Sequence, residues 1–427
     1  MVEIFPQIKY DIVVVGGGPA GIAAALFAAK EGMRVAIVEK NRSLGRKLCI
    51  TGKGRCNITN ACDKDDFFAN IPENPRFMYS PYSFFSNQDL IAFIEDLGVK
   101  TVVERGGRVF PASGDAKEVR DALRDALKTA GVKVYYDVSV TGIITEDGKA
   151  IGVVLSENDM KLYAPAVVIA TGGLSYKATG STGDGYGFAK DIGHTIIPQV
   201  PALVGIDTKE TFPSELAGLT LKNSGIKFTD SRTGKLIYED FGEILFTHTG
   251  LSGPTVLSAS FFLNDREEGS VKISIDLKPA LDADTLDKRI LRDFSEFSKR
   301  KFANSLSKLL PSSLIPVFIR KTGISEEKAV SEITKAERAR IVSTLKSFEL
   351  TFKCLRNIDE AIITRGGVNV SEIDPKTMAS KKCDGIYIAG EVLAVTGYTG
   401  GFNLTIAFST GALAGRSAAA HVKNINQ

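Results

Sequence analysis

The ten residues TGKGRCNITN, 51 to 60, place reactive side chains on a glycine-rich backbone. Lys53 and Arg55 supply two cations, and Cys56 supplies a thiol. The segment has too many glycines for a helix and too many polar residues for a buried strand. It therefore predicts a loop whose side chains act on a ligand, and its neighbours in the sequence indicate which ligand.

The stretch YDIVVVGGGPAGIAAALFAAKEGMRVAIVEK, 10 to 40, contains elements that can position a ligand. IVVV predicts a short buried strand because its residues are β-branched and apolar. It leads into Gly16, Gly18 and Gly21, a complete GxGxxG, followed by a helix of small residues that ends at Gly32. A second apolar strand, RVAIV, ends at Glu39. This order is typical of a dinucleotide-binding unit.

Each part of this unit has a physical role. Gly16 permits a tight turn, Gly18 lets backbone amides approach a pyrophosphate, and Gly21 permits close helix–strand packing. The helix N-terminus adds partial positive charge. Glu39 can bond a ribose diol, which favours NAD or FAD and disfavours a 2′-phosphate. The glycines alone leave NAD and FAD open, and a glycine-rich turn without a ligand is the structural alternative.

Two distant segments predict strands of the same sheet, at 162–173 and 384–392. Both are apolar and stop at glycine, as expected at the carboxyl edge of a parallel sheet, where ligands bind. A loop with Gly400 and Gly401 follows, and then a helix that starts near Asn403. A helix N-terminus there would stabilise the negative charge of a reduced flavin. The alternative is an ordinary strand–loop–helix. The first domain is therefore predicted to be discontinuous, 1–197 with 362–427.

Composition limits the classes of function. A length of 427 residues predicts two or three domains. The formal net charge of +3 is small for this length and argues against a nucleic-acid partner. The five cysteines lack the spacing of disulfide pairs and are expected to be reduced thiols. With only three histidines, a zinc site or a metal site of several histidines is not expected. No apolar run is long enough to span a membrane, and the start MVEIFPQIKYD has no signal-peptide core. We expect a cytoplasmic protein, and the oligomeric state stays open.

The middle of the chain differs in pattern from both ends. Residues 198–280 carry strand-like runs, and FELTFKCL returns to a strand pattern, so 198–280 with 346–361 predict an inserted β domain. Residues 281–345 have helical periodicity and many charges, and predict a helical subdomain.

With these motifs in place, the chain resembles the BaiN-like flavoproteins, also described as aminoacetone-oxidase-like FAD-binding enzymes. The motifs that carry the resemblance are GGGPAGIAAA, GRKLCITGKGRCNITN, ATGGLSYKATGSTGDGYGFAKDIGH, GEILFTHTGLSGP, TRGGVNVSEIDPKTMASK and YIAGEVLAVTGYTGGFNLTIAFSTGALAG. The resemblance implies an α/β fold: a discontinuous Rossmann-like FAD-binding domain, an inserted β-barrel-like domain and a small helical domain.

The resemblance also answers the question that residues 51–60 raise, because in that family the stretch after Glu39 wraps the cofactor. Arg46 and Lys47 match positions near the pyrophosphate, for which the alternative is a solvated pair, and the loop from Gly52 lies beside the flavin. The expected cofactor-binding residues are Gly16, Gly18, Pro19, Ala20, Gly21, Glu39, Lys40, Arg46, Lys47, Gly52, Gly54, Arg55, Cys56, Asn57, Val140, Ala170, Thr171, Gly172, Gly390, Glu391, Gly401, Phe402, Asn403 and Leu404.

Three residues are candidates for the catalytic step: Cys56, His248 and Tyr398. Cys56 is equally typical of a space-filling thiol. His248, in LFTHTGLSGP, can face the substrate as a hydrogen-bond donor or proton carrier, or can tie down its own loop. Tyr176, Tyr398 and Phe402 are candidate pocket walls, and each is as typical of a core aromatic residue.

The predicted function is that of an FAD-dependent oxidoreductase acting on a small organic substrate. The family resemblance favours reduction of a steroid-like or bile-acid-like enone with NAD(P)H. Because no second GxGxxG follows another strand, NAD(P)H would bind only transiently against the flavin. The alternatives are an oxygen-using amino-ketone or amine oxidase, and a non-redox FAD-binding module such as an RNA-modification flavoprotein. A Ser-His-Asp hydrolase is disfavoured because GLSGP lacks the GxSxG pattern.

Overall fold

The computed structural model describes residues 8–296 and 300–427. Residues 1–7 lie outside that description; they belong to the predicted first domain and to the N-terminal segment MVEIFPQIKYD. Residues 297–299, in the predicted helical region, also lie outside it. The chain forms two compact units, one from the N-terminus to Val200 together with Ile362–Gln427, the other Pro201–Ala361. Each unit has its own hydrophobic core.

The elements of the first unit come from both ends of the chain. Its strands are β1 (Ile8–Lys9), β2 (Ile12–Val15), β3 (Val35–Val38), β4 (Thr59–Asn60), β5 (Thr101–Val103), β6 (Arg108–Pro111), β7 (Lys133–Tyr135), β8 (Val140–Glu146), β9 (Lys149–Leu155), β10 (Lys161–Tyr163), β11 (Ala166–Ile169) and β12 (Ile196–Ala202), which runs two residues past the boundary. Its N-terminal helices are α1 (Pro19–Lys30), α2 (Arg46–Gly54), α3 (Lys64–Ala69), α4 (Tyr79–Phe84), α5 (Asn87–Asp96), α6 (Ala116–Thr129) and α7 (Asp184–Asp191).

The second unit contains the barrel strands and most of the remaining helices. Its strands are β13 (Ile206–Thr208), β14 (Thr220–Asp230), β15 (Leu236–Phe246), β16 (Gly250–Ser252), β17 (Val271–Asp276) and β18 (Phe348–Leu355). Its helices are α8 (Pro254–Ser260), α9 (Ala283–Glu296), α10 (Phe302–Ser305), α11 (Leu314–Thr322) and α12 (Lys335–Lys346). The chain then returns to the first unit with β19 (Ile363–Val368), β20 (Ile386–Ile388) and α13 (Phe402–Ile425).

A five-stranded parallel sheet forms the centre of the first unit, in the order β20-β11-β2-β3-β7. All residues of β2, β3, β11 and β20 are buried, as expected for parallel strands covered on both faces. Because the strands are parallel, their carboxyl ends meet at one edge. This edge carries Gly16, Glu39, Ala170 and Ala389, each directly after its strand.

Helices α1 and α13 pack against each other through small residues. A methyl group on Gly411 would lie 2.2 Å from the carbonyl oxygen of Ala20, and one on Gly415 would lie 2.0 Å from that of Ala24. Only glycine permits this approach, which brings the C-terminal helix beside the helix that begins at the glycine turn. Three smaller sheets complete the unit, β1-β10-β9-β8, β4-β6-β5 and β12-β19.

The second unit is a closed six-stranded barrel, β13-β16-β15-β14-β17-β18, with helices around it. Strand β18 closes the barrel by pairing with β17 and β13 across long stretches of sequence. Barrel strands and helices share one hydrophobic cluster. The Rossmann-like fold with an inserted barrel and added helices is confirmed, whereas the division at 281 and 346 into barrel and helical subdomain stays a prediction.

Two element predictions were wrong in detail. The segment 162–173 contains two strands in different sheets, β10 and β11, because Pro165 cannot donate a ladder hydrogen bond and interrupts the run. Residues 198–280 were predicted to consist of strand-like runs with glycine-rich breaks between them, but the region also contains a helix, Pro254–Ser260. Pro254 occupies its first position, where the missing N–H of proline costs nothing.

Candidate functional site

The glycine turn between β2 and α1 has the shape that a pyrophosphate requires. Gly16 has φ +104°, and a Cβ there would lie 2.5 Å from the carbonyl oxygen of Ala170. Gly18 is the N-cap of α1; no side chain caps this helix, and a Cβ on Gly18 would meet no atom within 4 Å. Pro19 follows as the first helical residue. The turn therefore leaves space and unsatisfied helix amides at the same place.

Glu39 lies directly beside this turn and is 7% exposed. Its carboxylate accepts hydrogen bonds from the backbone N–H of Gly17 at 2.7 Å and from Asn41, through the backbone N–H at 2.8 Å and Nδ2 at 2.6 Å. Arg46 in turn donates to Asn41 Oδ1 at 2.6 Å. The carboxylate is held at the strand end, where a ribose diol is expected, and Asn41 is a partner that the sequence had not indicated.

A cavity of about 460 Å³ lies next to Glu39. It is lined by Lys40, Asn41, Arg42, Ser43, Arg46 and Asp137. Lys40 is paired with Asp184 at 2.6 Å and Arg42 with Asp137 at 3.6 Å, so both cations are partly neutralised. Among the described residues, no carboxylate partner is found for Arg46, the third cation that lines the cavity. Arg46 is therefore the best placed of the three cations to bind a phosphate.

The second helix end, at α13, is also free of a side-chain cap. Gly401 precedes the helix with φ +104°, and a Cβ there would lie 2.3 Å from the backbone of Thr59. The side chain of Asn403 bonds the preceding loop, accepting from Gly397 N at 2.9 Å and donating to Gly397 O at 2.7 Å. The N–H groups of the first turn, which includes Leu404, are therefore left for a ligand.

The segment around residues 51–60 is only partly a loop. Helix α2 runs to Gly54, but Thr51, Gly52 and Lys53 have non-helical backbone angles, so the regular helix stops before the glycines. Arg55 pairs with Glu104 at 2.5 Å and lies over the ring of Phe110 at 4.2 Å. These contacts of Arg55 hold the segment against Glu104 and Phe110. A contact between Arg55 and the cofactor stays a prediction.

Lys47 and Glu391, both predicted as cofactor residues, bind each other. Lys47 Nζ lies 2.7 and 2.9 Å from the two carboxylate oxygens, and both side chains are about one-fifth exposed. Ser175 accepts from Lys47 at 2.7 Å, and the backbone N–H of Thr364 donates to Glu391 at 2.9 Å. Sequence reasoning missed Ser175 and Thr364, although both lie in the quoted motifs LSYKATGSTGDGYG and TRGGV.

Buried polar atoms without partners test whether FAD fits this edge. Among the described residues, Asn57 Oδ1 and Thr171 Oγ1 have no hydrogen-bond partner, although both atoms are buried. A buried unsatisfied polar atom is costly unless a ligand or water completes it. Asn57 ends the loop that begins at Gly52, and Thr171 follows β11 at the sheet edge. With the open glycine turn and the two uncapped helices, these atoms fit an extended dinucleotide cofactor.

The remaining predicted cofactor residues lie on or near the same edge. Gly172 and Gly390, in the loops that follow β11 and β20, have positive φ, +76° and +81°. A Cβ on Gly390 would lie 2.7 Å from the side chain of Ala20, which ties the strand end to α1. Ala170 is buried beside Gly16, and Val140 is buried at the start of β8.

The three catalytic candidates lie in different surroundings. Cys56 is fully buried, and burial raises the pKa of its thiol to about 12, which fits the space-filling alternative. Tyr398 is half-buried in the loop before α13. His248 is exposed and lines a cavity of the second unit. Of the predicted pocket walls, Phe402 is buried against Phe67 in the core, and Tyr176 is half-buried with φ +55°.

The described residues contain neither a metal-binding cluster nor a helix that could span a membrane. No three His, Cys, Asp or Glu side chains are grouped closely enough to hold a metal ion. Across 8–296 and 300–427, no helix combines the length and apolar character needed to cross a bilayer.

Comparison with known proteins gives matches across nearly the whole chain. The 3-dehydro-bile acid delta(4,6)-reductase of Clostridium scindens is 32% identical over 416 residues, which cover 95% of this chain and 98% of that protein. The ribosomal RNA dihydrouridine synthase of Haemophilus influenzae is 30% identical over 402 residues, 93% of this chain and 96% of that protein.

Solved structures show the same fold. A 3-ketosteroid-delta4-(5alpha)-dehydrogenase from Rhodococcus jostii RHA1 superposes with a TM-score of 0.53 at 15% identity and covers 98% of both chains. The family model for the HI0933-like protein Rossmann domain matches residues 10–417. The protein thus belongs to the HI0933-like family of Rossmann-domain proteins, and its expected class, an FAD-dependent oxidoreductase, is confirmed.

Proposed function

We propose that the protein reduces a carbon–carbon double bond conjugated to a carbonyl group in a small organic substrate, with NAD(P)H as the hydride donor. The observation that carries this proposal is the 32% identity over 416 residues with a 3-dehydro-bile acid delta(4,6)-reductase. An alignment of that length includes both compact units, and therefore more than the FAD-binding part of the chain.

The residues of the sheet edge support the cofactor's role in this reaction. When bound, reduced FAD supplies hydride for such a reduction. The N-terminus of α1 and Arg46 would hold the phosphates of FAD, and Glu39 would hold its ribose. The uncapped N-terminus of α13 carries about half an elementary positive charge, which would stabilise negative charge on a reduced ring. Tyr398, in the loop before that helix, is our candidate for the proton donor.

A second candidate is reduction of uracil in ribosomal RNA. Two relatives are named ribosomal RNA dihydrouridine synthase, from Haemophilus influenzae at 30% identity and from Escherichia coli at 28%, each over more than 90% of this chain. The double bond that dihydrouridine formation reduces is also conjugated to a carbonyl, so the same chemistry serves both substrates. The formal charge of +3 favours the small substrate, because RNA affinity depends on many phosphate contacts.

The test is re-oxidation of the reduced holoenzyme under anaerobic conditions. FAD-loaded protein is photoreduced and mixed separately with 4-androstene-3,17-dione, a bile-acid-type enone, an rRNA fragment and oxygenated buffer. We expect fast re-oxidation by an enone and slow re-oxidation by oxygen. Fast re-oxidation only by oxygen indicates the amino-ketone oxidase, and only by RNA indicates the second candidate. A protein that acquires no flavin absorbance from FAD contradicts both.

Titration of the oxidised holoenzyme with NADH and with NADPH tests the donor. Bleaching of the flavin band by either one under anaerobic conditions supports the proposed donor. No bleaching by either, with an intact response to photoreduction, contradicts it. A Tyr398→Phe variant that binds FAD and is reduced normally, but turns over the enone slowly, supports Tyr398 as the proton donor.

A further inference from the structure

We propose that a basic patch of the first unit binds the phosphate groups of the hydride donor NAD(P)H. This inference rests on the proposed function and names the residues that recognise the donor. The patch consists of two segments, 51–57 and 104–108, and we call it the Arg108 patch. Its four cations and one carboxylate leave a formal charge of +3, equal to the net charge of the entire chain. The cations are Lys53, Arg55, Arg105 and Arg108, and the carboxylate is Glu104.

The two segments of the patch meet at the ring of Phe110, in β6. The guanidinium of Arg55 lies 4.2 Å from the centre of this ring, and that of Arg108 lies 5.9 Å from it. A Cβ on Gly52 would lie 3.0 Å from an atom of the same ring. Positions 52 and 55 of one segment and position 108 of the other therefore share one neighbour, so the charges of both segments act at one place.

One arginine of the patch is already paired. Two nitrogens of Arg55 donate to the two carboxylate oxygens of Glu104, at 2.5 and 3.4 Å. The hydrogen bond from Arg55, together with the charges of Arg55 and Arg108, lowers the pKa of Glu104 below its ordinary 4.5, so the carboxylate is ionised at neutral pH. Arg55 therefore holds the patch together, and its charge is largely compensated.

Two other cations of the patch are available to a ligand. Nε of Arg108 donates to the backbone carbonyl of Arg105 at 3.1 Å, which orients the side chain. Its two terminal nitrogens have no hydrogen-bond acceptor within 8–296 and 300–427. Lys53 is exposed, and no partner for its ammonium group is found in the same ranges. An oriented guanidinium and a mobile ammonium are the two side chains that proteins use most to bind phosphate.

The backbone of the patch leaves space for a ligand. Gly54 and Gly106 have positive φ, +86° and +76°, and a methyl group on either would meet no atom within 4 Å. The turns that carry Lys53, Arg55, Arg105 and Arg108 are therefore open, and a phosphate can approach them without displacing protein atoms.

The patch lies beside the start of α13, whose N-terminus we propose as the site of the flavin ring. Nδ2 of Asn60 donates both to the carbonyl of Gly106, at 2.9 Å, and to that of Gly400, at 3.2 Å. Gly400 belongs to the loop before α13, and one side chain thus joins this loop to the basic turn. Because a single ribose separates the pyrophosphate of NAD(P)H from its nicotinamide, a phosphate site next to the flavin position is the place that the donor requires.

The size of the patch favours a dinucleotide over RNA. A pyrophosphate carries two negative charges, which match the two available cations. Tight binding of RNA needs many phosphate contacts along the backbone, and the affinity then falls steeply with salt. The phosphates of FAD itself are assigned to the glycine turn before α1, so the Arg108 patch is left for a second dinucleotide.

The first test compares Arg108→Gln and Lys53→Gln with Arg34→Gln in the FAD-loaded enzyme. Arg34 is 68% exposed, pairs with Asp11 at 2.9 Å and directly precedes β3, at the opposite edge of the parallel sheet. Flavin reduction by NADH and by NADPH is followed anaerobically by stopped-flow absorbance. We expect R108Q to raise the apparent Kd of the donor by roughly 10- to 100-fold, the range for a lost charged hydrogen bond, with an unchanged limiting rate. K53Q should raise it by a smaller factor, and R34Q should change neither quantity.

Equilibrium dialysis of NAD⁺ and NADP⁺ with the oxidised holoenzyme measures binding without electron transfer. Equal losses of affinity for both nucleotides in R108Q assign the patch to the pyrophosphate. A loss confined to NADP⁺ assigns it to the 2′-phosphate, and either result supports the proposal. If R108Q weakens binding of an rRNA fragment and leaves both nucleotides unaffected, the patch is an RNA contact and the proposal is overturned.

A further variant keeps the inference falsifiable if R108Q unfolds. Glu104→Gln removes the one negative charge of the patch and keeps an oxygen that can accept from Arg55. We expect E104Q to bind NAD⁺ and NADP⁺ roughly two- to fivefold more tightly, the effect of one exposed charge. A merely structural role of Glu104 predicts equal or weaker binding. Unchanged nucleotide binding in R108Q, K53Q and E104Q overturns the proposal.

Failure of the patch and failure of the function give different results. Reduction by NAD(P)H and turnover of the enone that R108Q and E104Q do not alter overturn the patch and leave the function standing. Nucleotide binding that R108Q weakens, in an enzyme that reduces no enone, contradicts the function and supports the patch. A wild-type holoenzyme that neither binds NAD(P)⁺ nor is reduced by NAD(P)H contradicts both the patch and the proposed donor.

Discussion

Glu39 shows how a single residue is held in place at the edge where we propose that the cofactor binds. The carboxylate is nearly buried, yet it accepts three hydrogen bonds from Gly17 and Asn41, so its charge is compensated before any ribose arrives. A side chain held in place loses little conformational entropy on binding. The strand end, the glycine turn and Asn41 therefore act together, and the effect of mutating Glu39 includes the loss of that arrangement.

We expect Glu39→Gln to weaken FAD binding by roughly 10- to 100-fold, because a charged hydrogen bond to ribose is lost. The measurement is titration of apoprotein with FAD, followed by flavin absorbance. Glu31→Gln is the matched control, since Glu31 forms only an exposed ion pair with Lys423. Equal FAD affinity in the E39Q and wild-type proteins would show that this carboxylate does not bind ribose.

His194 forms a buried contact that has the connectivity of a hydrolase triad. Its Nε2 lies 2.7 Å from Ser380 Oγ, and its Nδ1 lies 3.1 Å from Glu372 Oε2. The ring is fully buried, however, and Ser380 Oγ already accepts from the backbone N–H groups of Lys382 and Cys383. The cluster joins the end of α7 to the segment after β19, and its role is structural.

The buried His194 predicts a pH dependence of stability. Burial lowers the pKa of His194 below its ordinary 6.5, although Glu372 opposes the shift. The unfolded chain therefore takes up a proton near pH 6.5 that the folded chain does not. The contribution is fully present above about pH 6.5 and is lost as the pH falls toward the folded-state pKa. We expect the free energy of unfolding to decrease between pH 7 and 5, and less steeply in His194→Gln.

Urea denaturation at several pH values measures this slope. Ser380→Ala is the companion variant, because it removes a partner of the ring but keeps the titrating group. Parallel slopes in the wild type and His194→Gln would show that other groups cause the pH dependence. Glu372, whose pKa is lowered to about 2, loses its own contribution only between about pH 4.5 and 2, outside this window.

The pairing of α1 with α13 is the main feature at the scale of elements. Helix α1 begins at the carboxyl edge of the sheet, and neither α1 nor α13 has a side-chain cap at its N-terminus. Gly411 and Gly415 let the helix backbones approach within contact distance of Ala20 and Ala24. Packing this close fixes the two uncapped N-termini relative to each other, as our proposal that they bind the pyrophosphate and the ring of one extended dinucleotide requires.

We expect Gly415→Ala to lower the free energy of unfolding by about 1–3 kcal/mol, because the added methyl group would lie 2.0 Å from the carbonyl oxygen of Ala24. Gly187→Ala is the same substitution at an exposed position of α7, where a methyl group meets nothing within 4 Å. That control should be neutral or stabilise by about 0.5–1 kcal/mol. If thermal or urea denaturation gives both variants the same stability, close helix packing is not required.

At the scale of the whole molecule, the chain leaves its first unit after residue 200 and returns at 362. Each unit has its own core, and the edge at which we propose that the cofactor binds belongs to the first unit. The formal charge of +3 over 427 residues leaves little electrostatic attraction for a polyanion.

This charge balance distinguishes the two candidate functions. We expect the kcat/KM for a neutral enone to change less than about twofold between 50 and 200 mM salt, because no charges are paired on binding. A naked rRNA fragment should bind only in the non-specific range, about 10⁻⁴–10⁻⁶ M. Nanomolar, strongly salt-dependent binding of that fragment, with reduction of its uridine, would favour the RNA substrate.

The sequence by itself determined the parts of the protein that depend on local pattern. The buried strands before Gly16 and Glu39, the glycine turn, and the helix ended by Gly32 were all predicted, because β-branched runs and glycine spacing act over a few residues. The glycine-ended strands before Ala170 and Gly390 followed from the same signals. The barrel region was recognised as strands, but a strand pattern carries no signal that the first and last strands pair to close a barrel.

The tertiary structure alone decided which distant side chains meet. Lys47 pairs with Glu391 across 344 positions, and Arg356 reaches Asp207 across 149. Neither pair has a spacing that periodicity can detect, because the partners come together only when long crossovers and barrel closure have formed. Charges and hydroxyl groups look alike in sequence whether they face solvent or each other. Only the folded backbone decides whether two such groups face solvent or each other, because it sets their burial and the distance between them.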